Sequence, residues 1–140
     1  VQQPAYAARF VRGDLRPPTM EHPGAAYWLR LRVQARGAVG QHWYVELFDS
    51  HINDLVFYPS ATSEQGAIRT GADHRLASRK FPYKNFLFQL PLEPNTTRTF
   101  YIRLSSNSKT SFLSHLRAEQ PLAVRFQTEY WLLGAFYGVV

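Results

Sequence analysis

Ten residues constrain this chain more than any others: Tyr27-Trp28-Leu29-Arg30-Leu31-Arg32-Val33-Gln34-Ala35-Arg36. Leu29, Leu31, Val33 and Ala35 fall on one side of the alternation, and Trp28, Arg30, Arg32, Gln34 and Arg36 on the other. A strand turns successive side chains to opposite faces, so a period of two demands one apolar and one wet face. The apolar face has to be covered by another sheet. The wet face is basic and opens with a tryptophan. It is either the exposed side of an ordinary strand, with arginine for solubility, or the wall of a groove in which Trp28 and the arginines hold a ligand.

The rest of the chain repeats the strand signal. Trp43-Tyr44-Val45-Glu46-Leu47-Phe48 alternates, with Trp43, Val45 and Leu47 facing in. Leu55-Val56-Phe57-Tyr58 is a short apolar strand ended by Pro59, and a short hairpin is expected around Ala67–Asp73. Asn85–Leu92 places Phe86, Phe88 and Leu90 on one face. Thr99–Ser105 places Phe100, Ile102 and Leu104 inward and Tyr101, Arg103 and Ser105 outward. Ser111–Arg117 and Leu122–Tyr130 supply two more strands, and Ala7–Val11 a first edge strand. Asn95-Thr96-Thr97 reads as a plain turn. That makes about eight or nine strands at 8–12 residue spacing and no apolar stripe of helix length, the pattern of an all-β sandwich or barrel.

At 140 residues the chain is one domain with enough length for a sizeable core. It has no cysteine, hence no disulfide and no thiolate metal site. Its 13 Arg and 3 Lys give a net charge of +6, but the basic residues are scattered singly through strands. Nucleic-acid footprints cluster, so nucleic acid is not expected as a partner. Catalysis is not expected either. The five histidines (His22, His42, His51, His74 and His115) lie in separate segments, and no nucleophile–base–orienter set can be named. A calcium site is conceivable where Asp49, Asn53 and Asp54 share one loop, with Asp73 as a further oxygen donor; capping of the loop by the same side chains is the commoner use.

The outward residues of three strands form the candidate ligand face: Trp28, Arg30 and Arg32; Tyr44 and Glu46; Tyr101 and Arg103. If these strands adjoin in one sheet, they form a concave aromatic and charged patch. Aromatic rings stack on sugar faces while Arg, Gln, Asn and Glu bind hydroxyls, and the positive balance favours an acidic sugar or another anionic ligand. The alternative is a set of surface ion pairs among Arg30, Glu46 and Arg103, each contributing roughly 0–1 kcal/mol.

Several motifs then occur in a telling order: Tyr27-Trp28-Leu29-Arg30-Leu31, Trp43-Tyr44-Val45-Glu46-Leu47, Leu55-Val56-Phe57-Tyr58, Arg69-Thr70-Gly71-Ala72-Asp73, Arg79-Lys80-Phe81, Asn85–Leu92, Tyr101–Ser106 and Leu133-Gly134-Ala135-Phe136-Tyr137-Gly138. Over residues 25–140 the chain resembles the second type of extracellular domain at the N-terminus of bacterial seven-transmembrane receptors with diverse intracellular signalling modules. The resemblance implies a jelly-roll-like β-sandwich similar to carbohydrate-binding modules, exported to the periplasm. It implies a sensor joined to a seven-helix membrane unit, with a hybrid histidine kinase or a diguanylate cyclase as output. It implies a single domain over 1–140 that ends at the start of a first transmembrane helix, since the closing motif lies in ten uncharged residues, 131–140. Val1 in place of Met suggests numbering from within a longer precursor. The expected partners are a small ligand, a second copy in a homodimer or another membrane sensor kinase, and the attached membrane helices. A free-standing carbohydrate-binding module or lectin is the alternative.

Overall fold

The computed structural model describes residues 9–13, 16–36, 41–48, 51–81 and 83–119. Nine strands follow one another: β1 (Thr19–Met20), β2 (Tyr27–Gln34), β3 (Trp43–Phe48), β4 (Asp54–Tyr58), β5 (Ile68–Thr70), β6 (Phe86–Leu90), β7 (Thr97–Ser105), β8 (Thr110–Ser111) and β9 (Leu113–Ala118). One 3-10 turn, Leu76–Ser78, lies between β5 and β6. All pairings are antiparallel. The first sheet runs β2-β7-β4-β5, the second β6-β3-β9, and β1 and β8 form a small ribbon. Apart from β4 to β5, each step from β2 through β7 crosses between the two large sheets. This is the jelly-roll-like sandwich that the strand spacing and the resemblance led us to expect.

The core is the sum of the inward sets. Val45 and Leu47 of β3, Leu55 and Phe57 of β4, Phe86, Phe88 and Leu90 of β6, and Phe100, Ile102 and Leu104 of β7 are all buried. Leu29, Leu31 and Val33 of β2 pack against them from the sheet edge. Phe57 stacks on Phe88 across the sandwich, with ring centroids 4.9 Å apart, and touches Phe100 beside it at 6.1 Å. Offset aromatic contacts of this kind add to the apolar burial that drives the sheets together.

Several expectations need correction. The hairpin at Ala67–Asp73 is a single strand, β5, which turns back on β4. Residues 9–11 are not a strand, and residues 7 and 8 lie outside the described residues, as do Leu122–Tyr130 and the Leu133–Gly138 motif. The stretch from Ser111 is broken at Phe112, which dives into the core and separates β8 from β9. Strand β3 is covered on both faces. Its apolar side meets the main core, and its other side carries Tyr44, 8% exposed, and Glu46, 0% exposed.

One turn is held by a very close backbone approach. Gly71 follows β5 with φ +142, and a Cβ there would collide with the carbonyl oxygen of Asn53. The Ala72 amide donates to the Ile52 carbonyl and the Asp73 amide to that of Asn53, so the turn lies flat on the loop before β4. Only glycine combines that backbone angle with that proximity. Gly71→Ala is therefore expected to lower the free energy of unfolding by about 2–4 kcal/mol, from backbone strain plus displacement of the Asn53 carbonyl. Urea denaturation of both proteins measures it; a loss below about 0.5 kcal/mol would show that the turn relaxes freely.

Candidate functional site

The outer face of the first sheet can be read off its register. Trp28 lies opposite Arg103, and Arg103 opposite Val56; Arg30 lies opposite Tyr101, and Tyr101 opposite Tyr58; Arg32 lies opposite Thr99. Strand β7 lies between β2 and β4, and yet Trp28 stacks on Tyr58, 5.6 Å between centroids. The two rings therefore reach over β7 and meet above it. Residues 9–13 run beside this face, with Phe10 against Tyr101 at 6.1 Å and the Arg30 guanidinium 4.6 Å above the Phe10 ring.

Between that segment and β2 lies an open groove of about 930 Å³, lined among others by Arg12, Trp28, Arg30, Arg32, Thr99 and Tyr101. Flat aromatic faces, fixed cationic forks and hydroxyls are the ingredients of an orienting site for a small polar ligand. Among the described residues, neither Arg30 nor Arg32 has a carboxylate partner.

Arg103 is different. Its Nη1 lies 3.0 Å from Asp54 Oδ2. Arg69 takes the same carboxylate through Nε at 2.7 Å and Nη2 at 3.0 Å, and His74 Nε2 lies 2.8 Å from Oδ1. Hydrogen bonding from Arg69 above all, with a smaller contribution from His74, outweighs partial burial and holds the Asp54 carboxyl near 2, down from an ordinary 3.8. Beside it, Asn53 Oδ1 accepts from the Asn107 amide at 2.8 Å, and Asn53 Nδ2 donates to Asp73 Oδ1 at 2.8 Å. The Arg69–Asp73 motif is thus a clasp. Arg69 grips β4, Gly71 allows close approach, and Asp73 grips the preceding loop.

The structure brings together five of the seven expected ligand residues: Trp28, Arg30, Arg32, Tyr101 and Arg103. It takes Tyr44 and Glu46 away, because β3 pairs with β6 and β9 and not with β2. Tyr44 packs edge-on against Phe81, 5.6 Å between centroids. Glu46 accepts from Asn85 Nδ2 at 2.7 Å and from Arg117 Nε at 3.2 Å. Of the calcium candidates, Asp49 lies outside the described residues. Asn53 and Asp54 spend their oxygens on protein donors, and no group of three or more His, Asp or Glu among the described residues could hold a metal ion. Sequence reasoning missed Phe10, Arg12 and Tyr58. Only the neighbouring strand order could have revealed Tyr58, and no periodic signal marks residues 9–13.

The architecture is a two-sheet jelly-roll-like sandwich with a polar groove along one sheet. The comparison with known families makes this specific: residues 1–117 match 7TMR-DISM extracellular 2, and the chain belongs to that family. It is a sensory extracellular domain of a membrane receptor and is not itself catalytic. No curated protein matches the chain. No solved structure matches it either. No helix among the described residues is long and apolar enough to cross a membrane.

The Asp54 cluster gives a prediction with a definite sign. A carboxyl whose folded value is lowered contributes stability that is complete above its unfolded value and is lost as pH falls through the folded one. Asp54→Asn should lower stability at pH 7 by about 1–3 kcal/mol. The gap between variant and wild type should then close as pH falls from about 4 to about 2. Thermal melts of both proteins across that range test this; a gap independent of pH would assign the loss to packing.

Proposed function

We propose that this domain is the periplasmic ligand sensor of a bacterial membrane receptor. It takes a small anionic ligand, a carbohydrate bearing carboxylate groups being the best fit, in the groove over β2 and β7. One observation carries this reading: among the described residues Arg30 and Arg32 stand without carboxylate partners beside the Trp28 ring, while the nearby Arg103 is neutralised by Asp54. The stacked Trp28 and Tyr58 offer an apolar platform, and Arg30 and Arg32 offer charge-assisted hydrogen bonds. The ligand would bridge β2, β7 and the segment around Phe10. It would bias the receptor only as far as its affinity differs between the signalling states. The output we propose is a cytoplasmic kinase, a hybrid histidine kinase by family likeness. The receptor would work as a homodimer or beside another membrane sensor kinase.

Titration calorimetry with a galacturonic-acid oligomer and its neutral galactose counterpart tests the site. The acidic oligomer should bind more tightly. Trp28→Ala should weaken it tenfold or more, about 1.4 kcal/mol, with little change in melting temperature because Trp28 is only half-buried. Arg30→Gln with Arg32→Gln should weaken it by 10- to 100-fold while leaving the weak binding of the neutral oligomer unchanged. Equal affinities for both oligomers, or a double variant that binds like wild type, would rule out an anion-selective groove.

A further inference from the structure

Two arginines among the described residues lie against a phenylalanine ring, and they use their donors differently. The Arg79 guanidinium sits 4.4 Å from the centroid of the Phe86 ring. Its Nη1 donates to the Tyr83 carbonyl at 2.6 Å and to the Lys84 carbonyl at 3.2 Å. The ring covers the flat face of the guanidinium, and the N–H groups in its plane stay able to reach acceptors. The Arg30 guanidinium sits at nearly the same distance, 4.6 Å, from the centroid of the Phe10 ring. Arg30, however, has neither a hydrogen-bond acceptor nor a carboxylate partner among the described residues. Its face is taken and its donors are open to the groove that it lines.

Phe10 is the side chain by which its segment meets the sheet. It is half-buried, while Arg9, Arg12 and Gly13 are exposed and Val11 is 91% exposed. Its ring also meets Tyr101 at 6.1 Å, and Tyr101 lies opposite Arg30 in the ladder between β2 and β7. Phe10 thus sits on a cross-strand pair, braced by one member and capping the other. An arginine on an exposed strand face samples many rotamers, and a ligand that orders it loses affinity to that entropy. A ring held over the guanidinium face removes part of the loss in advance. Arg32, two residues further along β2, has no such ring among the described residues.

We propose that Arg30 is the carboxylate clamp of the groove and that Phe10 is its positioning residue. Phe10 holds the guanidinium plane, and Arg30 meets a ligand carboxylate through two parallel in-plane N–H···O bonds. Arg32 supplies charge without that fixed geometry. Anion recognition then depends on a residue that lies outside both large sheets. A neutral ligand, held by the rings and hydroxyls, does not need it. The clamp rests on the reading of the groove as an anion site, and it adds which cation makes the bond and what aims it.

Titration calorimetry with the galacturonic-acid oligomer, run as double-mutant cycles, tests the pair. Phe10→Leu keeps an apolar side chain and removes the ring face. It should weaken the acidic oligomer about fivefold and leave the neutral galactose oligomer unchanged. Phe10→Tyr keeps a ring and should bind the acidic oligomer within about twofold of wild type. In an Arg30→Gln background Phe10→Leu should cost less than about twofold, because the group it aims is gone. In an Arg32→Gln background the full loss should remain. Thermal melts check that each variant folds. Four outcomes would overturn the clamp while leaving an anion-selective groove. They are a Phe10→Leu protein that binds like wild type, one weakened equally toward both oligomers, a Phe10→Tyr protein as weak as Phe10→Leu, and equal losses in the two arginine backgrounds. A wild-type protein with no preference for the acidic oligomer would overturn the groove reading and the clamp together.

Discussion

The carboxylate of Asp54 decides which cations on the wet face of the first sheet are available to anything else. It sits at the start of β4, and it collects Arg69 from β5, Arg103 from β7 and His74 from the turn that follows β5. Two consequences follow from one side chain. The three strands are cross-linked by charge-assisted hydrogen bonds at one end of the sheet, where the backbone ladder alone would fray. Arg30 and Arg32, further along the same face, have no carboxylate partner among the described residues, and Asp54 is already taken by Arg69 and Arg103. A face with one acid at its centre would average out; a face with its acid at one end becomes polar along the strands. The cationic side of the groove reflects that asymmetry.

The periodicity of β2 and β7 survives folding residue by residue because both strands bury one face and wet the other. Leu29, Leu31 and Val33 turn to the core while Arg30 and Arg32 stay exposed, as a period of two requires. The same logic fails at β3. It is the central strand of its sheet, and its outer side is roofed by the segment that carries Phe81 and Asn85, so Tyr44 and Glu46 are buried despite occupying outward positions. A strand of five apolar or aromatic residues and one glutamate is a two-sided core strand more often than an amphipathic one, and that was the available signal. Strand order was not legible. Alternation says which side a residue faces, never which strand lies beside it, so the candidate ligand face mixed residues from two sheets.

Two of the motifs that carry the family resemblance, Arg69-Thr70-Gly71-Ala72-Asp73 and Arg79-Lys80-Phe81, turn out to be architectural. Arg69, Gly71 and Asp73 build the clasp. Arg79 lies over the Phe86 ring and donates to the Tyr83 and Lys84 carbonyls, which shapes the loop that roofs β3. Burial lowers the Arg79 pKa, and the ring face and the two carbonyls compensate that desolvation. Loop residues such as these read as binding residues in a sequence because Arg, Asp and Asn are polar and occur together. In the fold their polarity is spent internally, on carbonyls and carboxylates that a loop cannot otherwise satisfy.

The groove residues, by contrast, are drawn from several separate elements. Trp28 and Tyr58 meet over an intervening strand, and Phe10 comes from a segment with no periodic pattern of its own. A ligand that touches all three would therefore read the relative placement of β2, β4 and the N-terminal segment, not the shape of any one element. Those elements are held in different ways: β4 by the Asp54 clasp, β2 by its ladder to β7 and the packing of Leu29, Leu31 and Val33 on the core, and the N-terminal segment by Phe10 and Arg30. Strand β2 has a free edge among the described residues. A ligand held by Trp28, Arg30 and Arg32 would bear on this edge strand, which has a paired neighbour on one side alone among the described residues.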